Sequence, residues 1–201
     1  MSLVSLLLIP GAYTVLVSDG RSVDHSMKPV TDNTPKVFKA ASGVIIGVAG
    51  WGWPAIASFM TQATTEINQL QLEKQNLETI FPLIRSVSFA VPVDIQGGEY
   101  FSFLVAASDK RGDLGLIKGE HNDKVRDVRC QVPMVPTLAI ITPWENAQKY
   151  YDTVAGQLRT VNILNLKDVE SSFQKAYSTI ASATELINDT LFFRVVGRRA
   201  S

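Results

Sequence analysis

The sequence predicts an α+β fold, a four-layer αββα sandwich, and three observations carry that expectation. Segments of strand character come in groups instead of alternating one by one with helices. Helical patterns then arrive in pairs after each group. The chain has 201 residues, enough for one sizeable core, and its linkers are short, so residues 1–201 are expected to form a single domain.

The first segment, "SLVSLLLIPGAYTVLVSDGRS" (2–22), is apolar enough to invite comparison with a signal peptide. It carries no Lys or Arg before Arg21, whereas a secretory signal needs a positive region ahead of its apolar run. Pro10 would break a helix midway, and a membrane crossing wants about twenty uninterrupted apolar residues. A hairpin fits better, with strands at 3–9 and 13–17 joined by Pro10-Gly11-Ala12. Both strands are nearly continuous apolar runs, which predicts burial on two faces.

A polar loop is expected over 22–35. "KVFKA" (36–40) and "GVIIGVAG" (43–50), separated by Ala41-Ser42, predict a second hairpin. Pro54 is placed to open a helix whose Ile56, Phe59, Met60, Ala63, Ile67 and Leu70 recur at helical spacing. A second helical pattern carries Leu77, Ile80, Phe81 and Ile84, and Pro82 predicts that it starts late or kinks. Gly97-Gly98 opens a three-strand meander: "FSFLVAA" (101–107), "DLGLI" (113–117) and "KVRDVR" (124–129), with turns at 109–112 and 119–123. Thr142-Pro143-Trp144-Glu145 reads as a capping box opening a helix to about Arg159. "NLKD" (165–168) opens another, with Val169, Phe173, Ala176, Tyr177 and Ile180 on one face. "LFFRVV" (191–196) is the last expected strand.

Composition removes several function classes. Nineteen Lys and Arg balance nineteen Asp and Glu, and the only basic cluster is Arg198-Arg199, so no nucleic-acid partner is expected. No membrane partner is expected either, for the reasons given for the first segment. The single cysteine, Cys130, excludes an intramolecular disulfide and a cysteine-rich zinc site, and it fits a reducing, cytoplasmic setting. Neither metal nor cofactor is expected. A catalytic Cys130 would need His25 or His121 beside it, and the plainer expectation is a packed thiol.

With "SDGR" ending the second strand and "PKVFKA" opening the third, the element order resembles the proteasome β-subunit branch of the N-terminal nucleophile hydrolases. The likeness covers most of the chain. In that family the first residue of the mature chain is the nucleophile. An Asp ends the second strand, an Arg follows within two positions, and a Lys opens the third strand. Ser2, Asp19, Arg21 and Lys36 match in turn, with Ser2 exposed as the N-terminus once Met1 is removed. The resemblance implies Ser2, Asp19 and Lys36 as the catalytic set. It implies Gly50, in the Gly-containing end of the fourth strand, as an oxyanion and substrate-binding position. A Gly that simply ends a strand is the plainer alternative there. Trp51 and Trp53 either line a specificity pocket or pack at the strand-to-helix corner.

The chemistry has its own logic. An N-terminal serine carries its own base, an α-amine with pKa of about 7.7–8.0. A lysine beside the hydroxyl stabilises the developing alkoxide and depresses the amine by like-charge repulsion, and Asp19 would hold that lysine charged and oriented. The implied function is a peptidase acting on a peptide or protein substrate through an acyl-enzyme on Ser2. Homo-oligomerisation is implied as well, and a neutral chain has little charge repulsion against it. Two features depart from the family. The spacings from Ser2 to Asp19 and Lys36 are longer by about one and two residues, which calls for a longer turn or a bulge. The regions "RCQVPMVP" (129–136) and "TELINDT" (184–190) replace the family's supporting Ser and Asp groups, with Asp189 or Thr184 as the nearest substitutes. The alternative is therefore a catalytically silent subunit that forms rings or scaffolds.

Overall fold

Strands buried on both faces, beginning with the first hairpin, decide which surfaces meet. The computed structural model describes residues 2–24, 26–92, 100–121, 126–142 and 146–197. β1 (Val4–Ile9) and β2 (Tyr13–Asp19) pair antiparallel in continuous register from Val4↔Ser18 to Ile9↔Tyr13. The turn is Pro10-Gly11-Ala12, where Gly11 takes φ 74, a left-handed conformation that suits glycine. The β1–β2 register contains no bulge.

The loop expected over 22–35 contains two short strands, β3 (Ser22–Val23) and β4 (Pro29–Thr31), which pair only with each other. They are too short and too polar to register in a sequence pattern. β5 (Val37–Ala41) and β6 (Val44–Trp51) form the second hairpin, with a register shift between Lys39 and Ala41. α1 (Trp53–Gln69) has Pro54 in its first turn, as expected, and buries Ala55, Ile56, Phe59, Ala63 and Ile67. α2 (Leu77–Ala90) does not start late. Asn76 caps it by accepting from the Thr79 amide at 3.2 Å, and the helix runs through Pro82, whose ring stands on the exposed side.

β7 (Tyr100–Ser108), β8 (Leu114–His121) and β9 (Arg126–Gln131) make the meander. Gly97-Gly98 and residues 122–125 lie outside the described residues. Gly119 is not in a turn: it pairs with Phe103 and Val128 inside β8, where a Cβ would run into the Phe103 ring. A strand that the sequence reading missed, β10 (Thr137–Ile141), pairs with β1. Its five residues follow "VPMVP", and such a short apolar run carries no periodicity of its own. Thr142 follows β10 directly, with its hydroxyl buried, and does not cap a helix. α3 (Ala147–Leu158) begins at Asn146 instead; Pro143, Trp144 and Glu145 lie outside the described residues. α4 (Leu166–Ala183) buries the five residues expected, plus Ser172, and β11 (Leu191–Gly197) closes the chain.

Two sheets result, ordered β10-β1-β2-β11 and β5-β6-β7-β8-β9. Three apolar clusters account for their packing. α1 and α2 pack Phe59, Ile67 and Ile84 on Ile46, Phe101 and Phe103 of the five-stranded sheet. α3 and α4 pack Val154, Phe173 and Tyr177 on Leu3, Leu7, Val15 and Val17 of the other. Between the sheets lie Val4, Leu6, Leu8 and Leu16 against Ile45, Ala49, Leu104 and Ala106. Gly47 lets the sheets approach there, since a Cβ would lie 2.7 Å from both Leu16 Cδ2 and Val4 Cγ1. None of the described helices is long and apolar enough to cross a membrane.

His121 ends β8 in the first cluster, stacked on Phe101 at 5.0 Å with Phe89 edge-on at 5.2 Å. Both ring nitrogens are buried without a hydrogen-bond partner among the described residues. Burial, aided by the charge of Arg126, pushes its pKa down to about 4. The unfolded chain therefore binds a proton between pH 6.5 and 4 that the folded chain refuses. This contribution to stability is complete above pH 6.5 and is lost as pH falls toward 4. The expected loss is on the order of 2 kcal/mol. Urea unfolding across that range should show it, and His121→Phe should flatten the slope. An unchanged slope in the variant would refute the assignment.

Candidate functional site

The two hairpins bring their ends together where β2 finishes and β5 begins. Asp19 is fully buried and Lys36 is 5 % exposed, and Lys36 Nζ donates to Asp19 Oδ1 at 3.0 Å. The backbone around them is held by the same groups. Leu3 and Asp19 pair through Asp19 N–H to Leu3 O at 3.2 Å, while Leu3 N–H donates to Asp19 Oδ1 at 2.8 Å. Asp19 Oδ2 accepts from the Arg21 amide at 3.0 Å. Lys36 N–H donates to Ser18 Oγ at 3.3 Å, and Val48 N–H donates to Lys36 O at 2.9 Å, fastening the start of β5 to both β2 and β6.

An ammonium has three donors and no acceptor. At Lys36 they meet Asp19 Oδ1, the Asp19 carbonyl at 3.3 Å and the Arg21 carbonyl. Burial pushes the Asp19 carboxyl above its ordinary range, against the Lys36 charge and the amides of Leu3 and Arg21. Burial likewise pushes Lys36 below the ordinary lysine value, against the charge and hydrogen bond of Asp19. The charge of each partner thus opposes the shift that burial imposes on the other.

Ser2 is 6 % exposed and immediately precedes Leu3. Along β1, Leu3, Leu7 and Ile9 face α3 and α4, and Val4, Leu6 and Leu8 face the other sheet. Continuing that alternation puts Ser2 on the face of Val4, toward the five-stranded sheet. Gly50 lies two residues beyond Val48 on β6 and pairs with Phe101. A Cβ there would lie 2.4 Å from the Tyr100 carbonyl oxygen, so the missing side chain serves close approach of β7. Trp53 is 62 % exposed rather than packed at the corner, and Trp51 is half-buried.

Cys130 is exposed on β9 and is not the packed thiol expected, because β9 is the edge of its sheet. It stands opposite Ile117, whereas His121 stands opposite Arg126. Burial of part of the thiol, with Glu78 nearby, raises its pKa, the opposite of what a reactive thiolate needs. Asp189 is exposed, with its carbonyl accepting from Gln174, and Thr184 accepts from the Leu186 amide. Neither of these contacts reaches the ion pair. Two groups from this region reach the Asp19–Arg21 segment: the Glu185 carbonyl, which accepts from Arg21 Nη1 at 2.6 Å, and Asn188, which the sequence reading overlooked. Its Oδ1 accepts from the Gly20 amide at 2.9 Å. Asp32, also overlooked, takes the Arg21 guanidinium as a fork at 2.6 and 3.0 Å. The sequence signal for Asn188 was faint, since it is one of three consecutive polar residues, Asn188-Asp189-Thr190, after the buried Ile187.

No family model matches the chain, and no curated protein matches it in sequence. Among solved structures, the fold is similar to that of eukaryotic HslV from Trypanosoma brucei, with a TM-score of 0.67 at 13% identity. The match covers 97% of this chain and 99% of that one. At such identity the likeness is one of fold, a mixed α/β architecture.

Proposed function

We propose that the chain is a proteasome-like N-terminal nucleophile hydrolase, a peptidase that cleaves peptide or amide bonds through an acyl-enzyme on Ser2 after Met1 is removed. One observation carries this reading. The buried Lys36–Asp19 pair is bonded to the amide of Leu3, the residue next to Ser2. An isolated buried ion pair is a poor device for stability, since its desolvation cost rivals its attraction. A lysine held charged near a serine hydroxyl has a use, because it stabilises an alkoxide. In the proposed reaction the Ser2 α-amine takes the hydroxyl proton, and Ser2 Oγ attacks the carbonyl carbon. The amine returns the proton to the leaving nitrogen, and water then releases the acyl group. Gly50, at the end of β6 beyond Lys36, is proposed as a backbone position on the substrate-binding edge. The three clusters support a single-domain αββα sandwich, and homo-oligomeric assembly and a cytoplasmic setting are parts of the same proposal.

A second reading has an observation of its own. All three Lys36 donors already have acceptors. A catalytically silent, ring-forming subunit would keep such a pair as a structural clamp. The intact mass tests the first reading at its first step. The purified chain is expected to lack Met1, because only then does the nucleophile carry a free amine. Peptide hydrolysis by a chain that retains Met1 would contradict the mechanism.

A further inference from the structure

Lys36 is aimed by acceptors it does not choose. Two of them are main-chain carbonyls, those of Asp19 and Arg21, on either side of Gly20. The Asp19 carbonyl and the Gly20 amide belong to one planar peptide unit, so a bond that fixes the N–H fixes the C=O pointing the other way. Asn188, 6 % exposed in the segment between α4 and β11, takes that N–H on its Oδ1 at 2.9 Å. Its Nδ2 donates to the Asp32 carbonyl at 3.1 Å. Gly20 itself is pressed against that carbonyl, where a Cβ would lie 2.4 Å from the Asp32 oxygen. The Thr34 amide donates to the Gly20 carbonyl at 2.8 Å.

We infer that Asn188 is a positioning residue: without touching Lys36, it orients the Asp19–Gly20 peptide and ties it to the segment leading into β5, and so sets where the ammonium points. The bearing of this on catalysis rests on the reading of Ser2 as nucleophile; the orientation of Lys36 does not. Among the described residues, the charged groups acting on Lys36 are Asp19 and Arg21, and Arg21 is in turn paired with Asp32.

The test follows the Lys36 Cε resonance over pH in full-length chain carrying 13C-labelled lysine, in the parent, Asn188→Ala and Tyr13→Phe. Tyr13 donates to the Ile163 carbonyl at 2.6 Å, so its variant loses a bond away from Lys36 and serves as a control for plain destabilisation. Asn188→Ala should admit water and raise the Lys36 midpoint by about half a pH unit or more. Tyr13→Phe should lower the Tm and leave the midpoint where it was. A destabilised Asn188→Ala with an unmoved midpoint overturns the inference. Amide exchange in the parent gives a second check that needs no variant to fold. Gly20 should be protected, and exchange at the rate of an open amide overturns the inference equally. Neither readout requires turnover, so loss of the Ser2 mechanism leaves the result standing. An unmoved Lys36 in a chain with Ser2-dependent turnover rejects the role of Asn188 alone.

Discussion

Ser2→Ala is expected to remove amide hydrolysis by about 10⁴-fold or more while changing stability by less than about 1 kcal/mol. The hydroxyl is proposed to make the bond to the substrate, whereas the backbone of β1 is held by its pairing with β2 and β10. Alanine keeps both strand pairings and the α-amine. Kinetics on a panel of fluorogenic peptide amides, run beside urea unfolding, measures the two effects separately. Equal turnover in variant and parent would remove the enzyme reading and leave the silent subunit.

Asp19→Ala is expected to be the most destabilising single change at the site, costing about 3–5 kcal/mol. It leaves the Lys36 ammonium buried with only carbonyl oxygens as partners, and it strips the Leu3 and Arg21 amides of their acceptor. Pairing it with Lys36→Met removes the stranded charge, so the double variant should recover part of the loss even though it is inactive. Urea denaturation of the two singles and the double supplies the cycle. A cost below about 1 kcal/mol for Asp19→Ala would mean that the pair is not charged.

Much of this site was legible in the residues because it is built from strand ends, where chain position nearly determines spatial position. The "SDGR" and "PK" pieces end one hairpin and begin the next, and the packing of the two sheets against each other brings Asp19 and Lys36 together. Helix faces were legible for a similar reason: the face of α4 follows from periodicity alone. What escaped lay in contacts between distant segments. β10 is strand because β1 offers it an edge, and nothing in "TLAII" announces that edge. Asn188 and Asp32 reach Gly20 and Arg21 across 168 and 11 positions, which no local pattern encodes. A packed thiol was the expectation for Cys130 because no histidine is spaced to sit beside it, but β9 is the edge strand of its sheet and leaves the thiol exposed.

Covalent capture at Ser2 bears on the central claim most directly. A β-lactone opened by a serine hydroxyl leaves an ester whose added mass is that of the whole reagent. Met1-free parent chain should gain that mass once, fragmentation should place it on Ser2, and Ser2→Ala, which keeps the terminal amine, should gain nothing. An unlabelled parent, or a variant labelled as fast as the parent, would contradict the account.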